Sequence, residues 1–209
     1  MNTSTSPDTA PSAFDVLDFW FGDGLQRDWP SQNLNDLWFG ARPEQDEAIR
    51  QRFGPLVDEA LGDGLADWEA DPRSRLALIV LLDQLSRNVH RGQRRAFDGD
   101  ARAQRLSQLS IDEGMDATLT PAGRVFLYMP LMHAENLALQ DECVARFQRL
   151  VDSSPDALRD KLASNLRFAV LHRDIVAQYG RFPHRNAVLG RTTTPEENAF
   201  LKDGPRFGQ

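Results

Sequence analysis

The sequence predicts an all-helical protein, and three observations support this fold class. Apolar residues recur at spacings of three and four along most of the chain, which is the period of a helix with one buried face. Residues that favour helix starts and helix ends flank these stretches. No stretch alternates apolar and polar residues between turn dipeptides, so we expect no β-sheet.

The first helix is expected to begin at Ser12, where the pattern S-x-x-D is typical of a capping box. Gly22 is expected to end it, because glycine favours the end of a helix. Residues 29–40 are interpreted as a loop that carries a short turn and points Trp38 and Phe39 inward.

Proline marks the start of the next two helices. Pro43 suits a first helical position, and a kink is expected at the Gly-Pro pair of residues 54–55. The Asp-Pro pair of residues 71–72 begins a helix whose segment 76–82 is apolar on nearly all sides. This helix should therefore be the central, buried one, and it should end near Gly92.

Further helices are expected in the second half of the chain. Residues 98–113 form an amphipathic pattern, and Thr120 begins another helix that Pro130 should interrupt. A long helix is then expected over residues 131–151, with His133 at its start.

The last two helices have clear boundaries in the sequence. Residues 158–176 carry one apolar side with His172 on it, and Gly180 suits the position after the helix end. Thr194, followed by proline and a glutamate at the third helical position, predicts a terminal helix.

The expected organisation is one helical domain over residues 12–203, between a Ser-, Thr- and Pro-rich tail at 1–11 and a short tail at 204–209. About seven or eight helices joined by short loops should pack as antiparallel hairpins, either in a bundle or in a short helical solenoid.

Composition restricts the environment and the partners of the protein. The formal net charge of −7 disfavours nucleic acid and anionic membranes as partners. A single cysteine, Cys143, excludes an intramolecular disulfide and fits a reducing compartment. Residues 1–12 do not resemble a signal peptide, and the longest apolar run is too short to cross a bilayer. We therefore expect a cytoplasmic protein; its oligomeric state does not follow from the sequence.

Three polar islands occupy positions where core residues would be expected. The first continues from the most apolar helix, where Asp83 and Arg87 are four residues apart and can pair, and Asn88 follows them. A structural interpretation is an ion pair at a helix end, capped by Asn88. A functional interpretation makes Arg87 and Asn88 ligand-binding residues and Asp83 a group that orients an Arg or a His.

The second island, residues 128–136, contains His133 and Glu135. Two residues that are two apart on a helix point in different directions, so this spacing is poor for a shared metal ion. His133 is either a hydrogen-bonded core residue or an acid–base group, since imidazole titrates near neutral pH.

The third island, residues 179–191, places arginines, a histidine and an asparagine around a Phe-Pro pair in a loop between helices. The candidate residues here are Arg181, His184, Arg185 and Asn186. Guanidinium groups bind carboxylate and phosphate, and the free N–H groups of the helix start at Thr194 would add to an anion site. His172 could face the same space. The alternative is a loop fixed by surface salt bridges.

The sequence resembles the bacterial domain-of-unknown-function 924 family. The matching stretches are LDFWFG (17–22), LALIVLLDQLSRNVHRG (76–92), FLYMPLMHAEN (126–136) with Gln140, and YGRFPHRNAVLGR (179–191) ahead of TPEE. The resemblance implies an all-helical fold similar to tetratricopeptide-type superhelices, and it identifies the polar islands as hallmark motifs of the family. It implies no reaction.

Two hypotheses of different classes follow. The leading one is a cationic pocket for a small anionic ligand, phosphate or carboxylate, with hydrolase or transferase activity as an extension. Arg87, Arg181 and Arg185 would hold the anion. His133 or His184 would transfer protons. The rival is an interaction module that binds a partner peptide in a superhelix groove. No phosphate loop, nucleophile elbow or paired-cysteine motif is present, so we predict no cofactor and no metal. A metal site built from His133, His172, His184 and Glu135 is the third alternative.

Overall fold

The structure, a computed structural model, describes residues 10–205 and Phe207. Within these residues the regular structure is entirely helical, as predicted. The α-helices are α1 (Ala13–Phe21), α2 (Asn35–Phe39), α3 (Pro43–Leu61), α4 (Pro72–Val80), α5 (Ser86–Val89), α6 (Asp100–Asp112), α7 (Pro121–Met132), α8 (Leu137–Ser153), α9 (Asp156–Tyr179), α10 (Asn186–Leu189) and α11 (Pro195–Asp203). A π-helical turn, Leu81–Leu85, joins α4 to α5. None of the described helices has a stretch long and apolar enough to cross a membrane. Of the predicted N-terminal tail, residues 1–9 lie outside the described residues.

Four of the predicted helix starts are confirmed, because each depends on a side chain close in sequence. Ser12 and Asp15 form a reciprocal capping box at α1. Asp71 caps α4 and Thr120 caps α7 through their side-chain oxygens. Thr194 accepts from the backbone N–H of the third residue of α11, whose carboxylate accepts from the N–H of Thr194 in return.

The centre of the protein is α4 and the π-helical turn after it. Every residue over 76–82 is fully buried, as the apolar sequence predicts. The turn packs on α3 and α6, while α4 packs on α1, α6 and α7. Phe126 of α7 adds edge-to-face contacts with the rings of Trp20, Phe21 and Trp38. Phe39, the last residue of α2, is not buried as expected: it is 55% exposed.

The expectation that Pro130 interrupts its helix is wrong. Helix α7 runs through Pro130 to Met132, and every residue over 125–132 is buried. An internal proline costs a helix roughly 3 kcal/mol, which the packing of this apolar segment outweighs. The break comes later, at residues 133–136, so the long helix predicted from residue 131 begins only at Leu137.

Two side chains stabilise the bend between α7 and α8. Asn136 caps α8 by accepting from the backbone N–H groups of Ala138 and Leu139. The amide of Gln140 donates to the carbonyl oxygens of Met132 and Ala134, at 2.6 and 2.8 Å. Because a helix end leaves carbonyls without partners, these bonds satisfy the carbonyl oxygens of Met132 and Ala134 where the chain turns. The bend places His133 at the end of α7.

Replacing Gln140 with leucine is expected to lower the free energy of unfolding by about 1–3 kcal/mol, because it leaves buried carbonyl oxygens without donors. Gln148, exposed on the same helix and bonded to Asp152, is the matched control; its replacement with leucine should change the stability by less than about 0.5 kcal/mol. Urea unfolding measures both. Equal losses in the two variants would contradict a specific role of Gln140 at the bend.

The relative directions of α7, α8 and α9 determine which residues of these helices meet at the site. Helix α8 packs on both α7 and α9, and the connections between them are short. Consecutive helices joined by short loops are antiparallel, so α7 and α9 run in the same direction. His133, at the end of α7, and His172, in the C-terminal half of α9, therefore lie on the same side of the molecule.

Candidate functional site

A cavity of about 870 Å³ lies between the N-terminal loop and the ends of several helices. Its walls come from residues 29–40, the π-helical turn with α5, α7, α9 and the turn before α10. This volume falls in the range of roughly 300–1,000 Å³ that is usual for small-molecule sites. Residues from all three polar islands line it.

The charged side chains that line the cavity have one sign. Among the described lining residues they are all cationic: Arg87, Arg91, Lys161 and Arg185. Three imidazoles share the lining: His133, His172 and His184. The acidic partners of the arginines, Asp46, Asp83 and Asp100, are not among the described lining residues. Positive groups therefore face the cavity while their counter-charges lie behind them.

Asp83 is a buried carboxylate at the end of the cavity that Arg87 and Arg185 line, which we call the cationic end. Its carboxylate is fully buried and lies 2.8 and 3.0 Å from Nδ1 of His133. Gln84 donates to the same carboxylate at 2.5 Å, and Arg87 donates to its Oδ1 at 3.4 Å. Burial by itself would raise the pKa of Asp83, but His133, Arg87 and Gln84 outweigh it and hold the pKa well below its usual range. Asp83 therefore remains an anion.

Asp100 links the first and third islands. One carboxylate oxygen accepts from Nη2 of Arg87 at 2.9 Å, and the other accepts from Nη1 of Arg185 at 3.1 Å. Both guanidinium groups also lie over the ring of Phe97, at 5.0 and 4.8 Å from its centroid. Burial and the neighbouring Arg87 lower the pKa of Arg185 to about 10, so Arg185 stays charged at neutral pH.

Three enclosed nitrogens at this end have no hydrogen-bond partner among the described residues: Nη1 of Arg87, Nε of Arg185 and Nδ1 of His184. An enclosed donor without an acceptor costs about 1–3 kcal/mol, so such groups are rare in stable structures. Their concentration beside one cavity indicates a region whose polar groups are not arranged for stability alone.

Two of the histidines do not carry positive charge at neutral pH. Burial, together with nearby charged groups, lowers the pKa of both His172 and His184 to about 3. The Nδ1 of His172 donates to the carbonyl of Phe168 at 2.8 Å, and its ring stacks on Phe207 at 3.8 Å. These two imidazoles therefore add no positive charge to the cavity wall at neutral pH.

Not every candidate residue from the sequence reaches the cavity. We expected Arg181 in the same pocket as Arg87, and this is wrong: Arg181 lies on the carboxylate of Glu197, at 2.7 and 2.9 Å. Asn186 also bonds Glu197, at 3.0 Å. Glu135 pairs with Arg191 and accepts from the backbone N–H of Phe182. Sequence spacing could not assign these partners, because they come from a different segment of the chain.

The start of α11 is not the free anion site that its sequence suggested. Its capping box directs the carboxylate of Glu197 to the N–H of Thr194 at 2.8 Å, and Glu197 is 2% exposed. The hydrogen bond from Arg181 lowers the pKa of Glu197 to about 2. The protein's own anion therefore occupies this position.

The other site residues predicted from the sequence lie at the cavity or, in the case of Asp83, directly behind its wall. Asn88 lines the cavity and donates to Asp46 at 2.8 Å. The other lining candidates lie together at the end of the cavity that Arg87 and Arg185 make cationic: His133, His172 and His184. Asp100, which binds two of the arginines, was not predicted from the sequence, nor were Lys161 and the aromatic wall of Trp29 and Phe168. Phe168, which is 50% exposed, is an aromatic residue off the apolar side of α9, and this is the signal that could have found it. The described residues contain no group of three His, Cys, Asp or Glu side chains placed to hold a metal ion.

Comparison with known proteins gives a family and one solved structure. A family model for bacterial proteins of unknown function, DUF924, matches residues 16–205. A structure of a protein of unknown function from Agrobacterium tumefaciens is similar to this chain, with 34% identity and a TM-score of 0.75, and the match covers 92% of this chain and 97% of the other. No curated protein matches significantly.

Proposed function

Since the chain belongs to the DUF924 family of bacterial proteins, whose description assigns no function, we propose from the cavity itself that the protein binds a small organic anion with a phosphate or carboxylate group. The observation that carries this proposal is the sign of the lining. Four cationic side chains and no acidic one line the cavity among the described residues, in a chain with net charge −7. Positive groups gathered on one concave surface attract and orient an anion.

Arg185 and Arg87 are the best placed to hold the charged group. The only hydrogen bond that the side chain of Arg185 makes to a described residue is the one from Nη1 to Asp100. Arg87 uses Nε and Nη2 on Asp83 and Asp100 and leaves Nη1 without a partner among the described residues. Asp100 therefore fixes both guanidinium groups at the cavity wall, and each keeps an enclosed N–H without a partner among the described residues.

The rest of the cavity is suited to the apolar part of a ligand. Aromatic and apolar side chains form much of the lining: Trp29, Leu34, Trp38, Phe39, Val125, Met129, Met132 and Phe168. A helix rises about 1.5 Å per residue, so Val125 and His133 lie about 12 Å apart along α7. Because α7 and α9 run in the same direction, the cavity is elongated, with the imidazoles at one end and Trp29, Trp38 and Lys161 towards the other. A carboxylate with a hydrocarbon or aromatic body fits this shape.

Phosphate and short carboxylates are expected to raise the melting temperature more than chloride at equal ionic strength, in a saturable way. Binding to the folded state stabilises by RT ln(1 + [L]/Kd), about 2.7 kcal/mol at a hundredfold excess over Kd. Arg185→Gln should abolish the effect. Arg173→Gln is the matched control, since Arg173 lies on α9 in exposed ion pairs with Asp141 and Asp174.

A series of linear carboxylates from acetate to decanoate tests the apolar part of the site. Binding is read from the intrinsic tryptophan fluorescence, to which Trp29 and Trp38 of the cavity wall contribute. Each buried CH₂ group contributes about 0.8 kcal/mol, so affinity should rise about fourfold per carbon until the cavity is full. An equal response to all salts, or one unchanged in Arg185→Gln, would refute the anion site. A preference for an acidic peptide over every small anion would instead favour the interaction-module hypothesis.

A further inference from the structure

We propose that Asp83 and His133 form a general-base pair in this cavity, and that the protein hydrolyses an ester of the organic anion it binds. The inference rests on the proposed anion site and adds an activity to it. His133 is the catalytic residue, because its ring lines the cavity. Asp83 is a positioning residue, because it acts only through His133.

The pairing determines which ring nitrogen of His133 is free. An ionised carboxylate only accepts hydrogen bonds, so the proton on the paired nitrogen, Nδ1, points to Asp83. In the neutral ring the lone pair then lies on Nε2. The described residues provide no partner for Nε2, and the side chain is 17% exposed. Nε2 is therefore available to a molecule in the cavity.

The burial of Asp83 distinguishes this pair from the other Asp–His contact in the described residues. His90 lies 3.1 Å from Asp58, but that carboxylate is 51% exposed and also binds Arg95. Asp83 is fully buried and receives donors on both oxygens, so neither the carboxylate nor the imidazole can easily reorient. A base that is held in one orientation before the reaction is what general-base catalysis requires.

Positive charge lies next to the base. Arg87 donates to the same Oδ1 that His133 contacts, so its guanidinium adjoins the imidazole. Asp100 binds Arg87 and Arg185 and so brings the second guanidinium alongside. Donors fixed where negative charge develops stabilise a transition state more than they stabilise the substrate.

The reaction would proceed in two steps. With the carboxylate of the substrate held at Arg185, a water molecule gives a proton to Nε2 of His133 while its oxygen forms a bond to the ester carbonyl carbon. The C=O electron pair moves to the carbonyl oxygen near Arg87, the arginine that shares Asp83 with His133. The C=O bond then re-forms, the bond to the alcohol oxygen breaks, and that oxygen takes the proton back from Nε2. The products are a carboxylic acid and an alcohol, and Asp83 stays ionised throughout.

The probe is 4-nitrophenyl hydrogen glutarate, an anionic ester that releases a coloured product, with neutral 4-nitrophenyl butyrate for comparison. The protein is expected to accelerate hydrolysis of the anionic ester over buffer and to prefer it to the neutral one. His133→Gln should lower the rate by on the order of 100-fold, the usual size of a general-base contribution. His90→Gln, the same exchange outside the cavity, should leave the rate unchanged. No acceleration, or equal rates for His133→Gln and the wild type, would overturn the proposal.

The role of Asp83 needs a readout that loss of folding does not produce. In Asp83→Asn the negative charge that stabilises the imidazolium is lost, so the inflection of the kcat/KM profile should move to lower pH. The groups that face His133 and share this environment are Asp83, Arg87, His172, His184 and Arg185. Nitrogen-15 NMR of the wild type provides a second measurement: Nδ1 of His133 should carry the proton at pH 8. A proton on Nε2 would overturn the pair even if Asp83→Asn does not fold.

The two proposals can fail separately. If anions raise the melting temperature through Arg185 but the ester is not hydrolysed, the binding site stands and the general base is refuted. If hydrolysis depends on His133 but shows no preference for the anionic ester, the base stands and the anion site is refuted.

Discussion

Replacing Arg87 with alanine is expected to lower the free energy of unfolding by about 3–5 kcal/mol, the usual cost of removing one partner of a buried ion pair. Arg87 neutralises two carboxylates at once: Asp83 is fully buried and Asp100 is 14% exposed. The variant also loses the contact of the guanidinium with Phe97. Urea unfolding at pH 7 measures the loss.

Arg159→Ala is the control for this prediction. Arg159 pairs with Asp156 three residues away, but both side chains are more than half exposed, so its loss should be below about 1 kcal/mol. If Arg87→Ala costs no more than Arg159→Ala, then His133 and Gln84 suffice to compensate Asp83, and the charge pair contributes little to stability.

Lowering the pH from 7 to 5 is expected to destabilise the protein by about 2–4 kcal/mol through His172 and His184. Both have an ordinary pKa of 6.5, which burial lowers to about 3 in the folded state. Between these values the unfolded chain binds protons that the folded protein does not, so stability falls as the pH falls below 6.5. Each histidine contributes about 1–2 kcal/mol of this loss by pH 5, where the shifted carboxylates are still ionised.

Unfolding in urea from pH 7 to pH 5 tests this dependence, with His172→Asn and His184→Asn as variants that cannot titrate. Each variant should reduce the slope of stability against pH in this range. The asparagine amide keeps a donor near the position of Nδ1, which His172 uses towards Phe168. A slope that is unchanged in both variants would show that neither histidine is held neutral by the fold.

Much of the fold could be predicted because its signals are local. The cap at Ser12 and the proline at the start of α3 act within one helical turn, so a short window of sequence contains the whole interaction. The burial of residues 76–82 follows from composition alone, since an apolar segment has no stable place at the surface. The tetratricopeptide-like superhelix expected from the family resemblance stays a prediction.

The errors came where packing overrides local preference. Pro130 disfavours a helix, yet the buried surroundings of α7 keep the helix intact. The bend that follows depends on Gln140, whose amide reaches back to carbonyls at the end of the preceding helix. The preference of proline is visible in the sequence, whereas the packing that outweighs it is visible only in three dimensions.

By itself, the sequence determined the helical class, most of the helix starts and the three regions that hold the polar residues, because propensity, capping and burial patterns act between neighbours in the chain. Only the tertiary structure decided which of those residues share a cavity. Arg181 and Arg185 are indistinguishable by sequence, yet one binds Glu197 and the other binds Asp100 beside Arg87. The physical reason is that Coulomb and hydrogen-bond energies depend on distance in space. The partner that fixes each arginine comes from a helix whose position is set by packing of the whole core.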